Sequence, residues 1–469
     1  MFPGLTIAYW LTLHGLVTLL AVLIYIVTAH VLQQRRHPTA AIAWVLFILL
    51  VPYVALPTFL TFGSRKQARP RGQPLRLAPP APSDPEDERA WAVQTALAMG
   101  QSAPAGFIDL HLHADGTAAL QALWQVIDEA RHSIDICTFI IGRDAVGHAL
   151  IERLCAKARA GVRVRLMIDG LGRLMTPSPN MQPLIAAGGT VTRFVPPLHS
   201  PLKGRSNLRD HRKMLIADSG LEAQRLWSGG RNLAAEYFEG APGTPPWHDL
   251  SFDLRGEVVV QATALFEHDW AFANGRRSSA VHDDTPVDIR AGHGAQLIAS
   301  GPDQSDDTLH ALLLTAAYRA RNRLMMSTPY FVPDSALLMA LCMAARRGVV
   351  VDLLLPARSN HRLSDLARRR PLCALAAAGG RIWLAPQMLH AKLIVVDDVL
   401  ALAGSANLDS RSLFLNYELM MAFHEPEVVQ RFADWFEAER ASTQRSLPKQ
   451  PGLFGDMADG LVLWLGFQL

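Results

Sequence analysis

The sequence has few cysteines and almost no excess of charge, and both shortages narrow the class of protein. Its four cysteines show no C-x-x-C spacing: Cys137, Cys155, Cys342 and Cys373. A disulfide scaffold or a clustered zinc site needs paired or closely spaced thiols, so neither is expected. The formal net charge of the 469 residues is only +3. Such a chain lacks the basic excess that nucleic-acid phosphates attract, so no nucleic-acid partner is expected.

Charged side chains are also missing from the N-terminal region. No Asp, Glu, Lys or Arg occurs before Arg35, and residues 7–30 and 40–63 are almost continuously apolar. Each run covers about 24 residues, enough to cross a hydrocarbon core of ~30 Å at 1.5 Å per residue. A signal peptide would have a basic start. We therefore expect a membrane anchor with two transmembrane helices over residues 1–63, in preference to a buried hairpin of a soluble core.

The basic residues around these runs predict the orientation of the chain. The turn between the runs carries Arg35 and Arg36, whereas five basic residues follow the second run: Arg65, Lys66, Arg69, Arg71 and Arg76. The more basic side faces the cytoplasm in bacterial inner membranes. We expect a multi-pass protein of that membrane with a cytoplasmic catalytic region. A basic, Pro-rich linker is expected over residues 64–105.

The rest of the chain repeats one α/β unit. The segment ALIERLCAKARAGVRVRLMIDG from Ala149 matches ALLMALCMAARRGVVVDLLLP from Ala336. Each has apolar residues at helical spacing, then a glycine, then a run typical of a buried strand. We expect two lobes related by a pseudo-twofold axis, over residues 106–290 and 291–469, each a mixed sheet with helices on both faces. The second lobe ends in an apolar tail, and the site is expected between the lobes.

The chemistry of the chain is predicted by a motif that occurs once in each repeat. His, then Lys two residues later, then Asp five residues after that, occur twice: His211, Lys213, Asp218 and His390, Lys392, Asp397. One histidine can attack phosphorus while the other protonates the leaving oxygen, and two lysines can neutralise the phosphate in place of a metal ion. We therefore expect phosphodiester chemistry at a single site, with no metal and no cofactor.

A glycine turn follows each motif and supplies further candidate ligands. Gly229-Gly230-Arg231-Asn232 and Gly404-Ser405-Ala406-Asn407 each combine a flexible turn with an amide, so Asn232, Ser405 and Asn407 are expected to bind or orient the phosphate. Asp218 and Asp397 have the opposite strand parity to their lysines. They are expected to anchor strand ends, although they belong to the catalytic motif.

The duplicated motif resembles the signature of the phospholipase D superfamily. Within it, the segments around Asn207–Lys213, Trp247–Asp249, Thr328–Asp334 and Gly404–Ser412 are most similar to bacterial cardiolipin synthases. The resemblance implies a phosphatidyl-histidine intermediate, with His211 as nucleophile and His390 as acid and then base; the reverse assignment stays open. It also implies Asp249 as partner of the first histidine and Glu418 as partner of the second, unless both are merely structural. Asp210 and His248 depart from the expected Asn and Arg.

The resemblance also implies a particular reaction. One phosphatidylglycerol would donate its phosphatidyl group to another, giving cardiolipin and glycerol, so the expected partners are phosphatidylglycerol, other anionic phospholipids and the membrane. A membrane-bound phospholipase D hydrolase would use the same residues with water as acceptor. A nuclease-type phosphodiesterase and an inactive scaffold are further alternatives, disfavoured by the apolar N-terminal runs and by the two complete motifs. The sequence does not predict the oligomeric state.

Overall fold

A computed structural model describes residues 3–31, 38–62, 90–172, 176–195, 208–240, 243–276, 294–304 and 307–448. The basic residues that predicted the orientation, most of the predicted linker (63–89) and the apolar C-terminal tail (449–469) lie outside these ranges.

Helices and strands are mixed along the described chain after residue 107. The helices are α1 Pro3–Val31, α2 Pro38–Leu50, α3 Pro52–Phe62, α4 Ala90–Ala98, α5 Gly116–Glu129, α6 Ala145–Arg159, α7 Gln182–Ala186, α8 Val258–Ala273, α9 Thr308–Arg319, α10 Ser335–Arg346, α11 Arg362–Ala367, α12 Arg369–Ala377, α13 Ser410–Phe414 and α14 Pro426–Ala441. The strands are β1 Ile108–His113, β2 Ser133–Thr138, β3 Arg163–Asp169, β4 Thr190–Phe194, β5 Arg209–Asp210, β6 Met214–Ala217, β7 Arg225–Gly229, β8 Ser251–Arg255, β9 Ala295–Ser300, β10 Arg323–Ser327, β11 Phe331–Val332, β12 Val350–Pro356, β13 Arg381–Ala385, β14 Leu393–Val396, β15 Leu400–Gly404, β16 Leu408–Asp409, β17 Asn416–Phe423 and β18 Gln444–Ser446.

The N-terminal helices pack against one another through a small apolar core. The second apolar run is divided at Val51 into α2 and α3, because Pro52 cannot donate a helical hydrogen bond and instead occupies the first position of a new helix. Tyr25 of α1 packs against Phe59 of α3 within this core. In the part of the chain that the structure describes, no helix combines the length and the apolar character needed to cross a membrane.

The two lobes have the same strand order, which confirms the internal duplication. The first sheet has the order β1-β8-β7-β6-β2-β3-β4, and the second contains β9-β17-β15-β14-β10-β12-β13 with β18 added at its edge. Pairing is parallel for the three strands at one end of each series (β2-β3-β4 and β10-β12-β13) and antiparallel in the rest of both series. Both sheets are therefore mixed, as the sequence predicted.

Helices cover both faces of each sheet. One core joins the two lobes, because α8 and α14 pack between the inner faces of the two sheets, with Phe266 and Phe432 fully buried there. The outer face of the first sheet is covered by α5 and α6, and that of the second by α9, α10 and α12. The lobes thus share a continuous apolar interior, which fixes the position of any site between them.

The last part of the predicted linker is ordered structure rather than linker. Residues 90–98 form α4, and its Ala92 and Ala96 are buried in the outer core of the second lobe. These small residues lie four positions apart on one helix face, which allows close packing. Ala105 then forms an antiparallel bridge with Ala295, so this segment adds to the second lobe.

Candidate active site

The two motif histidines are brought together by short pairings between the lobes. β5, which leads into His211, pairs in parallel with the start of β17 in the second lobe, and the His211 N–H donates to the Tyr417 carbonyl at 2.9 Å. In the mirrored arrangement, the His390 N–H donates to the His248 carbonyl of the first lobe at 2.6 Å. Residues 211–213 and 390–392 have no regular secondary structure and lie just before β6 and β14 rather than in those strands.

Each histidine is held by a carboxylate of the opposite lobe. His211 Nδ1 lies 3.0 Å from Glu418 Oε2, and His390 Nδ1 lies 2.7 Å from Asp249 Oδ2. The predicted pairing within each lobe is therefore wrong. The physical reason is that β5 runs beside β17, which places Glu418 next to His211. Because an ionised carboxylate only accepts, Nδ1 carries the proton and Nε2 keeps its lone pair for chemistry.

Burial and nearby cations lower the pKa of both imidazoles. Burial lowers the pKa of His390 to about 3, and the ammonium group of Lys392 adds to this effect. Lys392 Nζ lies 2.8 Å from His390 Nδ1 and 3.0 Å from Nε2. Burial also lowers the pKa of His211, with Glu418 opposing the shift and Lys213 adding to it. A neutral imidazole is the form that can attack phosphorus.

The two lysines form a buried cationic pair at the same place. Burial lowers the pKa of Lys213 to about 8 and that of Lys392 to about 7, and the charge of Lys213 is a further cause of the shift at Lys392. Lys213 Nζ donates to the His211 carbonyl at 2.7 Å, and Lys392 Nζ donates to the His390 carbonyl. An arriving phosphodiester anion would favour the charged form of both.

The predicted amide and hydroxyl ligands lie in this buried region. Asn232 Nδ2 donates to Tyr237 Oη at 2.8 Å, whereas the buried amide oxygens of Asn232 and Asn407 have no hydrogen-bond partner among the described residues. Ser405 Oγ donates to Glu418 Oε2 at 2.5 Å, so it orients the carboxylate. Gly230 stands at the corresponding position of the first lobe, where a Cβ would approach Asp249 Oδ1 to 2.1 Å. Only glycine fits there.

The motif aspartates anchor the fold and do not reach the histidines. Asp218 accepts hydrogen bonds from the backbone N–H groups of residues 131–133, and Asp397 from those of residues 321–323. Each follows its lysine by five residues, roughly 16 Å along an extended chain. The prediction that grouped Asp218 and Asp397 with the catalytic residues is thus corrected. Both anchor the fold, as their strand parity indicated.

Several residues of the site were not predicted from the sequence. Arg212, between His211 and Lys213, is fully buried; its Nε donates to the Glu418 carbonyl at 3.1 Å, and it forms an ion pair with Asp269. Ala391 occupies the same position in the second motif, and that asymmetry was the available signal. Aromatic rings also flank the histidines: Tyr237 and Trp247 at His390, at 5.1 and 5.6 Å between centroids, and Phe139 at His211, at 5.3 Å.

The two departures from the expected motif have defined contacts. Asp210 is buried, accepts from the Arg212 N–H at 3.0 Å, and lies 3.1 Å from Cys137 Sγ. Burial raises its pKa to about 8, and the charge of Asp269 adds to the rise. His248 Nδ1 lies 2.9 Å from Glu439 Oε2, a hydrogen bond that raises the pKa of His248.

A duplicated α/β fold with two facing, carboxylate-held histidines defines a protein of the phospholipase D-like class. A family model described as "Cardiolipin synthase, PLD-like domain" matches residues 123–270 and 313–440, and one described as "Phospholipase_D-nuclease N-terminal" matches residues 19–64. The chain belongs to the phospholipase D-like family of cardiolipin synthases.

Individual relatives agree with this assignment. The chain is 32% identical over 442 residues to proteins named cardiolipin synthase A from Shigella boydii and Klebsiella pneumoniae, covering 90% of this chain and 89% of each relative. Among solved structures, phosphatidylserine synthase from Haemophilus influenzae matches with a TM-score of 0.62 and 12% identity, covering 82% of this chain and 100% of that one. Polyphosphate kinase from Porphyromonas gingivalis matches with a TM-score of 0.50 and 11% identity, covering 77% of this chain and 54% of that one. At these identities the two structures show the fold alone.

Proposed function

We propose that this protein is a cardiolipin synthase that transfers a phosphatidyl group from one phosphatidylglycerol to another, releasing glycerol. The observation that carries the proposal is the pair of buried histidines, His211 and His390, each held through Nδ1 by a carboxylate of the opposite lobe. Relatives named cardiolipin synthase A, which match nine tenths of the chain, support lipid substrates.

The reaction proceeds in two displacements at phosphorus. In the first, Nε2 of one histidine forms a bond to phosphorus and the bond to the headgroup oxygen breaks. The other histidine, an imidazolium once the anionic donor is bound, gives its Nε2 proton to the departing glycerol. In the second, that histidine removes a proton from a hydroxyl of the second phosphatidylglycerol. The oxygen then bonds to phosphorus and the N–P bond breaks. Water in place of this hydroxyl would give phosphatidic acid.

Lys213 and Lys392 neutralise the phosphate as negative charge builds on its oxygens. Asn232 would take part with its amide turned by 180°: Tyr237 Oη then donates to Oδ1, and Nδ2 is left to donate to the phosphate. Asn407 is proposed to bind the same phosphate through its amide group. The carboxylates of Asp249 and Glu418 stabilise the imidazolium that forms when a histidine takes up a proton.

The roles of the two histidines are separable by experiment. The family resemblance implies attack by His211. One observation supports the reverse assignment: the ammonium of Lys392 lies against the ring of His390, which favours the neutral, nucleophilic form of that ring. Rapid quenching of the enzyme with radiolabelled phosphatidylglycerol, followed by peptide mapping, locates the phosphatidyl group. Label on the peptide with His390 supports the reverse assignment, and label on the peptide with His211 supports the first.

Attachment to the inner membrane, with α1–α3 as the anchor, is part of the proposal. These helices bury Ala21 and Ile48 against one another and point large apolar side chains outward, with Leu19 69% and Leu50 73% exposed. An apolar exterior around a packed helical unit is suited to lipid surroundings rather than water. Extraction of cell membranes with alkaline carbonate tests the anchor: the full chain is expected in the pellet, and its release would contradict this part.

Product analysis tests the reaction itself. The purified full chain, reconstituted with phosphatidylglycerol and a chelator, is expected to form cardiolipin and glycerol in equal amounts. Phosphatidic acid as the sole lipid product would make the protein a hydrolase. Loss of activity on chelation, restored by a divalent cation, would contradict the role given to the lysines. The variant His211→Ala is the matched control and is expected to form neither product.

A further inference from the structure

The catalytic residues obey the pseudo-twofold symmetry, but the residues just outside them do not. Arg209 precedes His211 by two positions, and Met388 precedes His390 by two. Arg411 follows Asn407 by four positions, and Glu236 follows Asn232 by four. One copy of each pair is therefore cationic, while its counterpart is apolar or acidic.

The two arginines lie on the same flank of the site. Arg209 in β5 stands opposite Asn416 of β17, whose Nδ2 donates to Glu418 Oε1 at 3.2 Å. Arg411 lies in α13, directly before β17, and its carbonyl accepts from the Leu415 N–H at 2.9 Å. Both residues therefore lie on the flank that carries Glu418, the partner of His211. Burial and the like charge of Arg209 lower the pKa of Arg411, which is consistent with their closeness.

The opposite flank has a different character. There the Met388 carbonyl accepts from the His248 N–H, and the Glu236 carbonyl accepts from the Trp247 N–H, both at 2.8 Å. These contacts place Met388 and Glu236 beside Asp249, the partner of His390. The symmetry of the fold thus gives two equivalent flanks, one with two guanidinium groups and one with a thioether and a carboxylate.

Two carboxylates near the arginines also accept hydrogen bonds from backbone N–H groups. Asp169, whose charge acts on Arg209, accepts from the N–H groups of Leu171, Gly172 and Asp210, and burial raises its pKa to about 6. Asp409 accepts from the Ser412 N–H at the start of α13, and burial raises its pKa as well. Burial thus disfavours the charged form of both carboxylates, whereas guanidinium groups stay cationic, which gives this flank a cationic character.

We propose that Arg209 and Arg411 bind the phosphate of the acceptor phospholipid, which is the phosphate that is not cleaved. This inference rests on the proposed function. The histidines, lysines and asparagines surround one phosphate, whereas cardiolipin formation brings two phosphodiester anions into a largely buried site, and an uncompensated buried charge is costly. Guanidinium groups bind phosphate oxygens in a bidentate manner. The acceptor hydroxyl would then lie beside His211 as base, in agreement with attack by His390.

Two acceptors, phosphatidylglycerol with a second phosphate and free glycerol without one, test the inference. The full chain and its Arg411→Gln variant are given the same donor, phosphatidylglycerol, and two rates are compared: cardiolipin formation, and exchange of radiolabelled free glycerol into the headgroup. Loss of a charge-assisted contact is expected to lower the ratio of cardiolipin formation to glycerol exchange about 10- to 100-fold. Arg411→Lys should recover part of the ratio, and the matched control Glu236→Gln should leave it unchanged.

Other outcomes overturn the inference. Equal loss of both rates in a variant that unfolds at the wild-type temperature would make Arg411 a structural or catalytic residue. An unchanged ratio in both Arg411→Gln and Arg209→Lys would show that no acceptor phosphate binds there. Failure of the proposed function is distinguishable, because the wild-type chain would then form no cardiolipin at all.

Discussion

His211 of the first lobe and Glu418 of the second are joined by a 3.0 Å contact between Nδ1 and Oε2. His390 and Asp249 repeat this relationship in the opposite direction, at 2.7 Å. Neither motif histidine is therefore paired with a carboxylate of its own lobe. The internal duplication has made one site whose halves orient each other, and the shared core around α8 and α14 holds them in place.

The variant Glu418→Gln tests this mutual orientation. An amide can present its NH₂ group to Nδ1 and so favour the wrong tautomer of His211. We expect kcat to fall roughly 10²- to 10⁴-fold with little change in KM, because catalysis depends on the tautomer more than binding does. Steady-state kinetics of cardiolipin formation measure both constants.

Ser405→Ala is the matched control for Glu418→Gln. It removes one hydrogen bond to the carboxylate and leaves the contact with His211. Its kcat is expected to fall by at most about tenfold, the value of a single neutral-to-charged hydrogen bond of about 1.5 kcal/mol. Equal effects of the two variants would contradict the orienting role of Glu418.

The variants Asp218→Asn and Asp397→Asn are expected to act on stability rather than on chemistry. Each carboxylate accepts three or more backbone hydrogen bonds, and an amide cannot make all of them, so the free energy of unfolding should fall by about 2–4 kcal/mol. Asparagine tolerates the left-handed backbone at these positions, where φ is 51° and 52°.

Denaturant unfolding and activity at low temperature separate these effects. We expect the folded variants to keep near-wild-type kcat at 15 °C while unfolding at lower denaturant concentration. Asp128→Asn is the control, because Asp128 is half-exposed and pairs with Arg153 at the surface. A large loss of kcat in a stable Asp218 variant would return that residue to the catalytic group.

Asp210→Asn is expected to stabilise the protein at alkaline pH. Burial raises the pKa of Asp210 from 3.8 to about 8, so the folded state binds this proton more tightly than the unfolded state. The tighter protonation of Asp210 in the folded state stabilises the protein fully below about pH 4, and this contribution is lost as the pH rises to about 8. An uncharged asparagine does not titrate.

Thermal unfolding at pH 5.5 and pH 8.5 measures this effect. The melting temperature of Asp210→Asn minus that of the wild type should be larger at pH 8.5 than at pH 5.5. A difference that is the same at both pH values would show that Asp210 does not titrate between them and would contradict a pKa of about 8.

The repeat made much of the fold predictable. The helix, glycine and strand pattern from Ala149 and Ala336 corresponds to α6 with β3 and α10 with β12, because amphipathic spacing and a glycine stop are local properties of the chain. The motif spacing also predicted that His211 and His390 meet in one site. That inference needed only the symmetry of the duplication.

What the sequence could not predict depends on contacts between the lobes. Asp249 and Glu418 occupy equivalent positions in the two repeats, so the sequence is equally compatible with pairing inside a lobe or across lobes; the β5–β17 pairing decides it. The packing of α4 on the second lobe depends on a buried surface formed by distant residues, including Leu312. The role of Arg212 was likewise hidden, because its partners Asp269 and Glu418 lie far along the chain.

The stereochemical course at phosphorus tests the central claim most directly. Phosphatidylglycerol made chiral at phosphorus with oxygen isotopes or sulfur is converted to cardiolipin by the full chain, and the configuration of the product is determined. Two successive in-line displacements, through a phosphatidyl-histidine held between the lobes, predict net retention of configuration. Inversion would mean that the acceptor attacks the donor directly, and would contradict the account of His211 and His390 as nucleophile and acid–base pair.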